Sequence, residues 1–265
     1  MQDGRTVLPG DTVLSAYRIK ECVIMAVSKE ILQLCKVLRC ADVFDALDSM
    51  GLQDRYELAT GMRPLFPGIR FAGVAHTQEY DFYDRKMPAM SYDDFDAKQY
   101  RSIEEGGFSA YTRPGINSYG GDEDEVYVIA AHGSRAGILG SANTLGYLSR
   151  GVVGFIIDGT CRDSGECILQ RSPVFATVRS YTHPQGRVRI KSDSEPVVCA
   201  GVSICPGDII VADDDGVICI PQDIAKEVAV RAYKIQQKDR RDRRRSYEKL
   251  GRVFDDTVEL LPDLD

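Results

Sequence analysis

The sequence of 265 residues predicts an α/β domain. Three observations predict it. Short apolar runs recur through the middle of the chain, at Val126–Ala131, Val152–Ile157 and Pro173–Val178. Helical patterns precede and separate them, and a long one, Gln222–Leu250, follows. Hydrophobic residues make up 43% of the chain, enough for a sizeable core and too many for a disordered composition.

In order, residues 1–27 read as a loosely patterned arm. Ser28 suits the N-cap of a helix through about Arg39, with Ile31, Leu34, Cys35 and Leu38 on one face. Ala41–Met50 forms a second helix, ended by Gly51. Arg63–Thr77 holds a Pro/Gly turn and then a strand. Residues 78–124 turn rich in Tyr, Asp, Glu and Gly and read as an insertion or lid. After the strand Val126–Ala131, the glycine-spaced segment Gly133–Gly146 leads into a helix through about Ser149. The strand Val152–Ile157 breaks at Asp158-Gly159, and Pro173–Val178 is a further strand. The turn-rich stretch up to Pro221 ends in two strands joined by an Asp-Asp-Gly turn. These elements divide the chain into an arm (1–27), one domain (28–250, with its insertion at about 78–124) and a tail (251–265).

Composition excludes several classes. The formal net charge of −7 argues against a general nucleic-acid binder. No segment approaches the roughly 18–20 apolar residues needed to span a bilayer, and the N-terminus lacks a signal-peptide layout, so a cytoplasmic protein without a membrane partner is expected. The eight cysteines contain no CxxC pair and read as buried thiols; only Cys161, beside Arg162, stands next to a cation that could lower its pKa. Asp213, Asp214 and Asp215 lack EF-hand spacing and read as a solvated turn. The basic run Lys238–Arg245 is interrupted by Asp239 and Asp242 and reads as an exposed helical face or subunit contact.

The stretch Gly154–Asp163 carries the chemistry. An apolar strand is followed by Arg162 and Asp163 side by side, then by Glu166. Arginine grips a carboxylate with two parallel hydrogen bonds. Asp and Glu are hard oxygen ligands that suit Mg²⁺ or Mn²⁺. Two readings stand at this point: a metal-assisted site for a small organic acid, or a surface ion pair at a strand end. The helix start after Gly133–Leu139 fits a small carboxylate better than a nucleotide, because it has neither a Walker lysine nor a dinucleotide glycine pattern; a plain strand–helix connection is the alternative. His132 precedes this loop and could titrate near neutrality, or be structural; His76 and His183 are open in the same way.

ADVFDALDSMGL (Ala41–Leu52), FPGIRFAGVAHT (Phe66–Thr77), GVVGFIIDGTCRD, PVFA (Pro173–Ala176) and PVVCAGVSICPGDIIVADDDGVICIP occur in one order ahead of a C-terminal helix. In that order they resemble the family named after a regulator of RNase E activity, RraA, which includes metal-dependent 4-hydroxy-4-methyl-2-oxoglutarate aldolases. The resemblance covers about 41–77 and 125–250. It implies a β/β/α sandwich of the swivelling-domain type, with N-terminal helices and a long C-terminal helix, assembled as a homotrimer or homohexamer. It implies that Arg162 binds the 2-oxo acid, that Asp163 ligates Mg²⁺ or Mn²⁺, and that Glu166 acts on the metal through water. The carboxylate of the substrate would lie on backbone NH groups of Leu139–Leu145, at Gly140, Ser141, Ala142, Asn143 and Leu145. The aldolases carry an Asp twenty-one positions before the Arg; here Ser141 stands there, and His132 is a candidate replacement base. A second acidic group comes from a neighbouring subunit's C-terminal helix, where Asp239 and Asp242 lie.

Chemistry leads to the same class. Breaking a carbon–carbon bond next to a 2-oxo acid leaves an enolate, stabilised by a lysine Schiff base or by a metal. The lysines read as surface residues, with Lys191 nearest to a strand, so the metal route is expected. The expected function is a divalent-metal-dependent lyase, aldolase or decarboxylase, on a small 2-oxo acid. The alternatives are a non-catalytic regulatory protein on the same scaffold and a different metal-assisted reaction. Decarboxylation needs no hydroxyl base and so tolerates Ser141 better. The tyrosines and acids of 78–124 are expected beside the site, facing a polar or cationic part of the substrate rather than a second carboxylate.

Overall fold

The computed structural model describes residues 22, 27–83, 85–117 and 121–264. The expected arm lies almost wholly outside them. Two helices open the described chain. In α1 (Lys29–Lys36) the Ser28 hydroxyl accepts the Ile31 N–H at 3.4 Å. α2 (Cys40–Ser49) ends before Gly51, whose φ of 72° is the left-handed conformation that suits glycine.

β1 (Arg63–Pro64) and β2 (Phe71–Phe82) follow. β2 is longer than the sequence predicts, so the inserted segment begins only after Phe82. It carries α3 (Tyr92–Gln99) and the small hairpin β3 (Thr112–Arg113) and β4 (Ile116–Asn117). Then come β5 (Glu125–Ala130), β6 (Gly137–Leu139), α4 (Ser141–Leu148), β7 (Gly154–Cys161), α5 (Ser164–Leu169) and β8 (Val174–Arg179). The last part holds β9 (Val188–Asp193), the pair β10 (Val197–Cys199) and β11 (Val202–Ile204), the hairpin β12 (Ile209–Asp213) and β13 (Gly216–Ile220), and α6 (Ala225–Leu250).

Among the described residues nine strands form one mixed sheet. Its path is β1-β8-β7-β5-β2-β12-β13, with β6 on β7 and β9 on β2. β8, β7, β5 and β2 are mutually parallel, as strands buried on both faces tend to be. β2 serves two antiparallel partners in succession: Phe71–Val74 pairs with β12 and Gln78–Phe82 with β9.

Two cores sandwich the sheet. One gathers Tyr127, Tyr147, Phe155 and Phe175, with the Tyr127 and Tyr147 ring centres 4.4 Å apart. The other packs α1, α2 and α6 on the β12–β13 face through Val43, Leu47, Val211, Ile220, Val228 and Ala232. The tail folds back on α6: Tyr233 donates to Pro262 O and Val258 is fully buried. This layered α/β architecture is the expected one.

The local reading of the cysteines differs in one pair. Cys22 pairs with Cys205 in a disulfide instead of remaining a thiol, while the other six cysteines are free and buried. The aspartate turn is solvated, with Asp214 and Asp215 exposed, and it also makes bonds: Asp213 accepts the Cys40 N–H at 2.8 Å and Asp214 the Gly68 N–H at 2.8 Å. The basic helix keeps the exposed face expected of it, on which Asp239 pairs with Arg39 and Arg243, and Asp242 with Arg245.

Candidate active site

β7 does not stop at Asp158-Gly159. A Cβ at Gly159 would lie 2.7 Å from the Ala131 methyl, so glycine is there for close strand packing. The Asp158 carboxylate ties three backbone amides, of Ala131, His132 and Ala200, and burial raises its pKa. The strand therefore runs on to Cys161 and delivers Arg162 and Asp163 at its end. Asp163 turns the chain into α5 with φ 51° and ψ 35°, a left-handed N-cap that costs a non-glycine residue some strain.

The glycines of the preceding loop make room for this pair. Arg162 N–H donates to Leu139 O at 2.8 Å, which seats β6 against the turn. A Cβ at Gly137 would lie 2.8 Å from the Arg162 Cβ, and one at Gly140 would lie 2.7 Å from Asp163 Oδ2. Gly140 is also the N-cap of α4. The first N–H groups of a helix lack intrahelical partners and carry its positive end. The spacing Gly137-x-x-Gly140 is thus a signal for the site.

Arg162 Nε donates to Asp163 Oδ1 at 3.2 Å, and both side chains are about one-third exposed. With Gly140, Ala142 and Asn143 they wall a cavity of about 260 Å³. Its other walls are Gln99, Tyr100 and Tyr111 of the inserted segment, and His183, Pro184 and Gln185 from the loop between β8 and β9. Tyr111 is fixed by its hydroxyl on Ile138 O at 2.8 Å. The inserted segment does lie beside Arg162 and Asp163. Among the described residues none of its acids is at the wall: Asp93 and Asp94 sit in the first turn of α3, where they complement the positive end of the helix.

His183, not His132, is the histidine of this cavity. Its pKa is lowered, first by burial and then by the charges of Arg162 and Arg187, so the ring is neutral at neutral pH. Its Nδ1 is enclosed with no hydrogen-bond partner. His132, with φ 50°, bonds Glu79 Oε1 through Nε2 at 2.9 Å instead. His76 is held between Glu125 (3.3 Å) and Asp193 (3.0 Å). Glu166 is exposed on the first turn of α5, Ser141 opens α4, and Leu145 is exposed; none of the three walls the cavity. Lys191 stands in β9 and pairs with Glu79 at 2.9 Å, so it is no free amine for a Schiff base.

The thiols Cys161 and Cys167 sit under the turn and both point at Arg162 O. The neighbouring Cys167 and then burial push the Cys161 thiol up rather than down, so Arg162 does not activate it.

Among the described residues no group of three His, Cys, Asp or Glu side chains could cage an ion. Asp163 alone points a carboxylate into the cavity. That donor set suits an ion such as Mg²⁺, which keeps several waters and takes one or two carboxylates. It does not suit a zinc or calcium cage.

Comparison with known proteins agrees with the fold. The profile of the RraA-like family (Aldolase/RraA) matches residues 40–219. A putative 4-hydroxy-4-methyl-2-oxoglutarate aldolase of Halalkalibacterium halodurans is 35% identical over 102 residues, covering 38% of this chain and 46% of the relative. Protein DlpA of Legionella pneumophila is 28% identical over 211 residues, covering 78% of this chain and 30% of the relative. The matches thus span less than half the length of these two curated relatives. A crystal structure of an uncharacterized Pseudomonas syringae protein superposes with a TM-score of 0.65 at 25% identity, over 87% of this chain and 97% of that one. Streptomyces coelicolor RraAS2, a member of the RNase ES inhibitor RraA family, shares the fold with a TM-score of 0.64 at 22% identity, over 83% and 99% of the two chains. The chain belongs to the RraA-like family.

Proposed function

We propose that the protein is a divalent-metal-dependent lyase that cleaves or decarboxylates a small 2-oxo acid. The observation that carries this reading is the convergence of Arg162, Asp163, the α4 N-terminus and neutral His183 on one cavity. The substrate's carboxylate lies on the first N–H groups of α4, at Gly140 to Asn143, with Arg162 orienting the 2-oxo group. Asp163 would hold Mg²⁺ or Mn²⁺, with Glu166 one turn along α5 as an outer carboxylate. Such an ion supplies Lewis-acid stabilisation of the negative charge that develops when the adjoining bond breaks.

The chain's own residues do the rest. The Arg162 guanidinium is fixed before the reaction and faces the developing charge, so little reorganisation is needed. His183 can exchange a proton with substrate through Nε2, since Nδ1 is enclosed. Gln99, Tyr100 and Tyr111 wall the cavity from the inserted segment and would shield the reacting end from water. Self-association as a trimer or hexamer belongs to the same proposal. Leu145, Leu169, Val178 and Tyr181 leave large apolar side chains exposed around α4, α5 and β8, a surface suited to a second copy.

The test is turnover of oxaloacetate and of 4-hydroxy-4-methyl-2-oxoglutarate. EDTA should abolish it and Mg²⁺ or Mn²⁺ restore it, and Asp163→Ala should be inactive with an unchanged circular dichroism spectrum. An Asp163→Ala protein that retains full turnover in EDTA would overturn the assignment. A metal-replete wild type inert towards both acids favours the regulatory alternative.

A further inference from the structure

A second cavity, of about 460 Å³, adjoins the candidate site. Its walls are Arg85, Lys86, Met87, Gln185, Gly186 and Arg187. The buried Gln185 is part of the wall of both cavities, which are therefore neighbours. Its amide oxygen accepts the Ala110 N–H, which holds this shared residue in place.

The wall is built rather than incidental. Gly186 has φ 71°, and a Cβ on it would lie 2.7 Å from Arg85 O, so glycine lets the backbone at Arg85 lie against the 184–187 turn. Arg85 N–H donates to Gly186 O at 2.9 Å, and the Arg85 guanidinium sits 5.3 Å from the Phe108 ring centre. Arg187 is anchored by a bond of 3.1 Å to His183 O.

The charge of this cavity is one-sided. Among the described residues Arg85, Lys86 and Arg187 form no ion pair. The neighbouring cations of the same sheet edge do: Arg189 with Glu104 at 3.9 Å and Lys191 with Glu79 at 2.9 Å. Three uncompensated cations beside a concave surface attract an anion. Arg187 also acts on the first cavity, where its charge and that of Arg162, after burial, lower the His183 pKa. The sequence leads one to expect acids and tyrosines facing a polar or cationic portion of the substrate. The structure puts tyrosines of the inserted segment at the first cavity and cations at the second, and among the described residues no acid of that segment walls either.

We infer that the cavity walled by Arg85, Lys86 and Arg187 is a second anion subsite, which holds a carboxylate or phosphate at the far end of a substrate whose reacting end lies against Arg162 and Asp163. The inference rests on the 2-oxo acid reading for the reacting end. It adds that the inserted segment selects acids bearing a further, distal anionic group.

Binding separates the two claims. Calorimetric titration of the full chain with Mg²⁺ would use pyruvate as the probe of the first cavity. Inorganic phosphate and tricarballylate would probe the second and distinguish the two anion types. Arg85→Gln and Lys86→Gln should each weaken phosphate or tricarballylate by about tenfold, as expected for loss of one charge-assisted contact, and leave pyruvate unchanged. Arg162→Lys should weaken pyruvate and leave phosphate unchanged. Equal phosphate and tricarballylate affinities in wild type and in an Arg85→Gln/Lys86→Gln double variant would overturn the subsite while leaving the first cavity standing. Failure of pyruvate to bind, with phosphate binding still lost in the double variant, would overturn the reacting-end reading alone.

Discussion

Gly140→Ala places one methyl group where the candidate site has no room for it. Gly140 has φ −147° and ψ 178°, an extended backbone that alanine adopts without strain. The effect is therefore one of contact alone. The new Cβ would lie 2.7 Å from Asp163 Oδ2 and 3.0 Å from Arg162 Cγ. Ordinary contact begins near 3.4 Å, so the carboxylate oxygen must retreat by about 0.7 Å. Misplacement on the order of 1 Å costs up to roughly a hundredfold in rate, so kcat/KM should fall between about 10- and 100-fold. The cost in stability is smaller. Alanine at an N-cap is worse than glycine by about 1 kcal/mol at most, a shift of a few degrees in Tm. Gly146→Ala in the same helix is the control: its Cβ meets nothing within 4 Å, so activity should hold while the helix gains up to about 1 kcal/mol. The assay is metal-dependent turnover of a 2-oxo acid beside thermal unfolding of both variants. A folded Gly140→Ala protein with kcat/KM within twofold of wild type would refute the placement of Asp163 in the reaction.

Three further predictions follow from single side chains. Arg162→Lys keeps the charge but loses the fork, so KM for the 2-oxo acid should rise at least about tenfold and kcat should fall; unchanged kinetics would move the carboxylate elsewhere. His183→Asn should lower kcat by about a hundredfold or more. In wild type the acid limb of kcat/KM should lie below the ordinary histidine value of 6.5, and Arg187→Gln should move it upward by removing a depressing charge. A limb that ignores Arg187 would exclude His183 as the titrating group. At His76, burial pulls the pKa down, but bonds to Asp193 and Glu125 outweigh it and raise the value to about 9. Its folded-state value exceeds the unfolded 6.5, so the stabilisation is full below about pH 6.5 and lost as pH rises through about 9. The gain is at most about 3 kcal/mol. Urea unfolding of His76→Gln should therefore differ from wild type at pH 6 and converge with it near pH 9.5; a gap that does not close with pH would assign the effect to packing on Tyr127.

The helices α1, α2 and α6 and the β12–β13 hairpin are legible because their signals are local: a serine cap, glycine stops, apolar periodicity and a two-residue turn. Arg162 and Asp163 are legible as a pair because they stand side by side just after an apolar run; that they wall a cavity is visible only in the structure. The end of β7 is misread because glycine marks a turn in most contexts, whereas Gly159 serves close packing on Ala131. β6 is too short, at three residues, to show a period. His183 stands in a loop far from Arg162 in sequence, and only the β8–β9 connection returns it to the cavity. Cys22 and Cys205 are 183 positions apart, a separation at which spacing carries no information about pairing. The role of Gly137 and Gly140 is visible only when Arg162 and Asp163 are in place above them.

β2 and β5 are parallel neighbours, and residues 83–124 connect the end of one to the start of the other. A parallel pair cannot be closed by a tight turn; the chain must travel back the length of a strand, which takes a dozen or more residues. Part of the inserted segment is therefore obligatory, a crossover that any sequence with this sheet order must supply. Only its excess length is free to vary. This chain spends that excess on the walls of two cavities, through Gln99, Tyr100 and Tyr111 on one side and Arg85 and Lys86 on the other. A crossover cut to the minimum would still permit the β2–β5 pairing and would leave Arg162 and Asp163 untouched. Substrate range can thus be exchanged, by evolution or by grafting, as a cassette rooted at Phe82 and Glu125, without altering the residues assigned to the reaction.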